Sequence, residues 1–196
     1  MFSQANKKFN IMKKLFLAAA AMLMSVSMNA QNEVGQISIA PTVGLNISSI
    51  TDYDSSKSKA GLAVGAVAEY GIAEKFGVSA GLMFSMQGCG WDRHDEKTKL
   101  NYLNIPILAN YYVYKGLAVK AGVQPGILLS AKEGDEDIKD ETKGFDLSIP
   151  VGASYEYKNF VLDARYNIGV TKGNKEGSKS HKNSVFQITL GYKFKL

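Results

Sequence analysis

Between residues 37 and 196 large apolar side chains recur at every second position, in eight separate runs. The last run is the cleanest: Phe186, Ile188, Leu190, Tyr192, Phe194 and Leu196 alternate with Gln187, Thr189, Gly191, Lys193 and Lys195. Successive side chains of a strand point to opposite faces, so this period-two pattern predicts strands, and no segment after residue 31 carries a 3.6-residue repeat. The other runs cover 37–47, 62–70, 76–86, 103–111, 117–129, 145–155 and 160–170. Their connections alternate in kind. Long polar stretches such as SSITDYDSSKS, GCGWDRHDEKT, AKEGDEDIKDETK and KGNKEGSKSHKN take turns with short ones near 71–75, 114–116 and 158–159. The expectation is an all-β, eight-stranded antiparallel up-and-down barrel with four long loops at one end and both termini at the other.

Alternation alone leaves open whether the apolar face points into a soluble ligand-binding barrel or out into lipid. The opposite face decides the reading, because it is small and neutral: Ser38, Ala40, Thr42 and Gly44, then Gly61, Ala63 and Gly65, then Gly77, Ser79 and Gly81, then Gly122, Gln124 and Gly126, then Ser148, Gly152 and Ser154. A water-facing sheet surface carries more Lys, Glu and Thr, whereas small residues suit the narrow interior of an eight-stranded barrel. Aromatic residues on the apolar face gather near the short turns: Tyr70, Phe76, Tyr111, Tyr155, Tyr157, Phe160, Tyr192 and Phe194. They are expected to form an interfacial girdle, which completes the picture of a transmembrane barrel.

The first thirty residues are of another kind. Lys13 and Lys14 precede the apolar stretch LFLAAAAMLM, the length of a signal-peptide core and too short to cross a bilayer as a helix. Residues 1–30 are therefore expected to be a cleavable signal peptide, removed after Ala30, with Met12 as the start, and residues 31–196 the barrel domain. Removing the four lysines of the leader takes 23 basic residues to 19 against 18 acidic, so the basic isoelectric point argues for no nucleic acid partner. Cys89 is the only cysteine, which excludes an internal disulfide and a lipid anchor on a cysteine after the cleavage site.

Charged residues on the small-residue face are few: Glu69, Lys120, Glu156, Asp163, Arg165, Lys193 and Lys195, all toward the short-turn end. Isolated charges in a narrow lumen are costly, so they are expected to pair into an ionic plug, with Arg165 at its centre offering a two-pronged donor to Glu69, Glu156 or Asp163. Above it, Thr42, Asn46, Ser85, Gln87, Gln124, Ser130 and Asn167 predict a wetter polar cup. Cys89, Asp92, His94 and Asp95 are metal-capable types whose spacing matches no zinc pattern, and GDEDIKDE lacks the glycine at the sixth position of an EF-hand calcium loop, so no metal or other cofactor is expected. His94 and His181 have no nucleophile or orienting acid at a fixed spacing, so no catalytic residue is assigned.

The segments YLNIPILANYY (102–112) and LSIPVGASYEYKNFVLDARYNIGV (147–170), with the aromatic C-terminal strand, resemble the PorT-like outer-membrane β-barrel family of Bacteroidetes. Asn104 stands where related sequences often have an acid. The resemblance implies residence in the outer membrane of a Gram-negative bacterium, loops outside and termini in the periplasm. It implies little about activity; one member supports protein secretion, a role that membership does not transfer. The expected partners are outer-membrane lipid and lipopolysaccharide, the barrel-assembly machinery through the C-terminal strand, and an outer or periplasmic protein of unknown identity. A structural, adhesion or interaction role leads, with a narrow porin-like channel, a secretion accessory and a lipid A-modifying enzyme behind it.

Overall fold

Each alternating run becomes a strand whose apolar face has only its neighbours' apolar faces beside it, and the ladder closes on itself so that no backbone edge is left unpaired, as lipid requires. The computed structural model describes residues 33–51, 56–91, 97–133, 136–139, 144–171 and 182–196. The strands are β1 (Ile37–Thr51), β2 (Ser56–Ala73), β3 (Phe76–Trp91), β4 (Lys97–Asn104), β5 (Ile107–Tyr114), β6 (Leu117–Glu133), β7 (Glu136–Asp137), β8 (Phe145–Tyr157), β9 (Phe160–Gly169), β10 (Lys182–Tyr192) and β11 (Phe194–Lys195). They make eight antiparallel staves. β4 and β5 share the stave between β3 and β6, β10 and β11 share the stave beside β1, and β7 folds back on the far end of β6. The barrel closes where β1 pairs with β10, from Thr42 opposite Gly191 to Thr51 opposite Lys182, and with β11 through Ser38 opposite Lys195.

The fourth stave, expected as one strand, is interrupted at Ile105 and Pro106 because proline has no N–H for the ladder. Its neighbours keep the seam closed: Ile105 N–H donates to Pro125 O at 2.8 Å and Gly81 N–H donates to Pro106 O at 3.0 Å. The first two long connections are also shorter than expected, since β1 runs to Thr51, β2 starts at Ser56, β3 runs to Trp91 and β4 starts at Lys97. Polar residues prolong the ladder past the alternating runs, without the apolar alternation that marks it in the sequence.

The apolar face is outside. Val43, Leu45, Leu82, Leu162 and Leu190 each expose half or more of their surface, whereas Ala40, Ala63, Ser79, Ser154 and Thr189 of the opposite face are buried. A soluble barrel that holds its ligand inside would show the reverse. At the short-turn end the aromatic residues form an outward-facing band: Phe76 is paired with Tyr111, Tyr157 with Phe160 and Phe160 with Tyr192. The Phe160 and Tyr192 rings meet edge-on at 5.2 Å, and Phe194 lies 4.9 Å from Tyr192. Tyr70, Tyr157 and Phe194 are exposed with them, and Tyr155 is half-buried. Lys158 closes the β8–β9 turn with a φ of 54°, a left-handed conformation unusual for a residue with a Cβ.

Several sequence expectations lie outside the described residues: the leader at 1–30, Asp92, His94, Asp95, His181 and half of GDEDIKDE. Of Cys89 only the backbone is described.

Candidate functional site

Inward positions of a narrow barrel alternate with lipid-facing ones, so the charges that share one face of the sequence converge in the lumen. Glu69 comes from β2, Lys120 from β6, Glu156 from β8, Asp163 and Arg165 from β9, and Lys193 from the break between β10 and β11. All six are buried. They form two groups. In the first, Lys120 Nζ lies 2.8 Å from Asp163 Oδ2 and Arg165 Nε lies 2.7 Å from Asp163 Oδ1. In the second, Lys193 Nζ lies 2.5 Å from Glu156 Oε2 and 3.7 Å from Glu69 Oε1.

β5 supplies two more members. Asn110 Nδ2 donates to Glu69 Oε2 at 3.0 Å and the Tyr112 hydroxyl donates to Glu69 Oε1. Asn110 also donates to Ser79 Oγ at 3.1 Å. Since β2 and β8 lie on opposite walls, as do β5 and β10, the sequence Tyr112, Glu69, Lys193, Glu156 crosses the bore. Charged groups from facing walls meet here.

Two expectations are corrected by this arrangement. Lys195 is exposed and takes no part: it keeps the inward parity but stands one pleat beyond Lys193, at the rim, where water solvates an ammonium without a partner. Arg165 is not the two-pronged centre either. Its contact with Asp163 is close but too poorly aligned for a hydrogen bond, and its Nη1 meets no protein acceptor. The two residues sit at i and i+2 on one strand, too near for the fork to face the carboxylate squarely. Lys193, whose compact ammonium reaches two carboxylates at once, holds the central place instead.

The expected wet cup is a packed layer. Asn46, Ser85, Gln87, Gln124 and Asn167 are buried and bonded within the lumen: Asn46 Nδ2 and Gln87 Nε2 both donate to Ser85 Oγ at 2.8 Å, and Asn167 Nδ2 donates to Gln187 Oε1 at 3.2 Å. Toward the loop end Leu100, Tyr102, Leu128 and Ala131 form an apolar cluster inside the barrel, with Ile138 packed against it.

The family model of the outer membrane protein beta-barrel domain matches residues 29–173. The chain belongs to this family. Among solved structures, Neisserial surface protein A is similar over 81% of this chain and 97% of its own, at 15% identity and a TM-score of 0.53. The attachment invasion locus protein Ail of Yersinia pestis matches 83% of this chain and 100% of its own, at 16% identity and a TM-score of 0.49. OprG from Pseudomonas aeruginosa matches 85% and 99%, at 15% identity and a TM-score of 0.48. No curated protein matches the sequence. The fold is thus an outer-membrane β-barrel, and the similarity to solved structures speaks to the fold alone.

Within this outer-membrane barrel, sequence reasoning missed four inward residues. Tyr112 and Asn110 sit on the same face as Leu108, and because Tyr102 and Leu108 stand there among Asn104 and Asn110, that face does not read as a polar lumen. Lys59 shares the parity of Gly61 and Ala63, and its Nζ donates to Thr98 O at 2.9 Å and Gln87 O at 3.3 Å. Asp146 shares the parity of Ser148 and accepts from the Thr171 hydroxyl. Parity carried both signals, but each lay in a stretch assigned to a loop or a strand end.

Proposed function

We propose that this protein is a non-enzymatic outer-membrane barrel with a plugged lumen, which presents its rims to partners and does not pass solutes. The observation that carries the reading is Lys193 between Glu69 and Glu156, on opposite walls. A charge bridge across a narrow bore removes the continuous water column that ion flow needs. The apolar cluster of Leu100, Tyr102, Leu128 and Ala131 adds a second, dry obstruction nearer the loop end.

The short turns and both described chain ends face the periplasm and the longer connections face outward, where lipopolysaccharide surrounds the rim. The PorT-like, Bacteroidetes assignment belongs to the same reading, carried by YLNIPILANYY and LSIPVGASYEYKNFVLDARYNIGV. The role is structural, adhesive or one of interaction. Reconstitution of the refolded barrel in a planar bilayer tests it: no steady unitary currents are expected, and regular single-channel steps would establish a narrow channel instead. Proteolysis of intact cells tests the orientation, with cuts expected in 172–181 and none at Lys158.

A further inference from the structure

We infer that Lys99 and Lys132 form a site for the phosphate groups of lipopolysaccharide on the outer face of the barrel, at its loop end. The two residues stand directly opposite each other in the β4–β6 ladder, and both side chains are exposed. Residues so paired have Cβ atoms about 5 Å apart, and like charges in that position repel. Among the described residues neither ammonium takes an ion pair or a hydrogen bond. In the row across the sheet Lys99 has Gly88 on its other side and Lys132 has Asp137, so two lysines stand beside one acid.

A bulge creates the pair. Leu103 is opposite Ile127 and Tyr102 opposite Leu128, but Asn101 is opposite Ser130, which leaves Leu129 as an extra residue on β6. Strict alternation from the outward-facing Ile127 would turn both Ser130 and Lys132 into the lumen. The extra residue reverses the parity, so Ala131 is buried inside and Lys132 is exposed beside Lys99.

Position and charge choose the ligand. On the outer face Leu103 and Ile127 are followed by Asn101 and Ser130, joined by a bond from Asn101 Nδ2 to Ser130 Oγ at 2.8 Å, and then by the two lysines. Hydrocarbon side chains, an amide–hydroxyl pair and then ammonium groups follow the order in which a membrane passes from acyl chains to charged headgroups. A phosphomonoester carries about two negative charges and three acceptor oxygens, and lysine binds it as a point charge. One such group between Lys99 and Lys132 cancels their repulsion, whereas a zwitterionic headgroup brings an ammonium of its own.

The site deepens the proposed function and rests on its placement of the long connections outside, where this lipid lies. The test does not need that placement. The full refolded barrel is embedded in phosphatidylcholine vesicles that hold lipid A in both leaflets, either with its phosphates or after their removal. The midpoint of the heat-modifiable gel shift is expected to be a few degrees higher with the phosphorylated form, since a ligand bound only to the folded state stabilises it. The double variant Lys99→Gln, Lys132→Gln is expected to lose that difference, and the same change at Lys75 and Lys158, exposed at the opposite rim, to keep it. Inorganic phosphate at equal ionic strength is expected to give no rise in lipid A-free vesicles. The proposal is overturned by equal midpoints with the two lipids in the wild-type barrel, by an undiminished difference in the Lys99, Lys132 variant, by an equal loss in the Lys75, Lys158 variant, or by a full rise with inorganic phosphate alone. Should the double variant not refold, Lys99→Gln alone carries the same expectation. An error in orientation would show in the proteolysis of intact cells and leave these midpoints unchanged.

Discussion

Lys193 Nζ lies 2.5 Å from Glu156 Oε2 although a whole strand, β9, separates their staves. The contact therefore passes through the bore and not along the wall. Truncating Lys193 leaves Glu156 and Glu69 facing each other without their shared cation, and breaking a buried pair in this way costs about 3–5 kcal/mol. Lys193→Ala is expected to destabilise the barrel by that amount in a urea titration in lipid vesicles and to admit ion leakage, while Lys195→Ala, at the exposed rim, leaves both unchanged. Equal effects of the two substitutions would remove Lys193 from its central place.

Tyr112 gives a finer probe of the same network. Its hydroxyl donates to Glu69 Oε1 from two staves away, and Tyr112→Phe deletes that one bond while keeping the ring. The expected loss is about 1–3 kcal/mol, the range for leaving a buried acceptor short of a donor. Glu69 retains Asn110 and Lys193, which places the result toward the lower end. Denaturation of Tyr112→Phe beside Asn110→Ala and the double variant would yield a coupling energy, and strict additivity would show that the two do not share Glu69.

Ile188 tests the outer face. It lies between Phe186 and Leu190 on β10, opposite Leu45 of β1, and is exposed on the apolar side. Ile188→Arg is expected to destabilise the barrel by about 2–4 kcal/mol near the bilayer centre, whereas Ile188→Ala costs far less. If the arginine variant unfolds at the wild-type urea concentration, this face does not meet hydrocarbon.

Gly152 tests the packing behind Arg165. A methyl group there would run into the backbone O of Ala164 and lie 2.8 Å from Arg165 Cα and 2.9 Å from its Cγ, contacts a Cβ does not tolerate. Gly152→Ala is expected to cost about 1–3 kcal/mol in a urea titration in lipid vesicles, the range for overpacking a close-fitted site. A stabilised Gly152→Ala barrel, as conformational entropy alone would give, would mean that β8 and β9 are less closely apposed than described.

The alternation of Phe186, Ile188 and Leu190 with Gln187 and Thr189 was enough to place strands, faces and the closed all-β architecture, because strand parity is a local property written every two residues. The small residues opposite them, Gly65 and Ser79 among others, were enough to turn the apolar face outward, because lumen width limits side-chain volume. Parity likewise assembled the set of inward charges before any distance was available. It failed at Lys59 and Asp146, which lie past the alternating core of their strands, and at Tyr112, whose face mixes Tyr102 and Leu108 with Asn104 and Asn110. Which charge meets which depended on the register of β1 against β10, on the break that frees Lys193 from the ladder, and on which walls stand opposite once the sheet closes. Those are consequences of ring closure and strand stagger, and two residues far apart in sequence carry no local mark of facing each other across a bore. Hence the inventory Glu69, Glu156 and Lys193 was legible in the chain, while their meeting, and the unpartnered nitrogen of Arg165 beside them, were decided only by the tertiary structure.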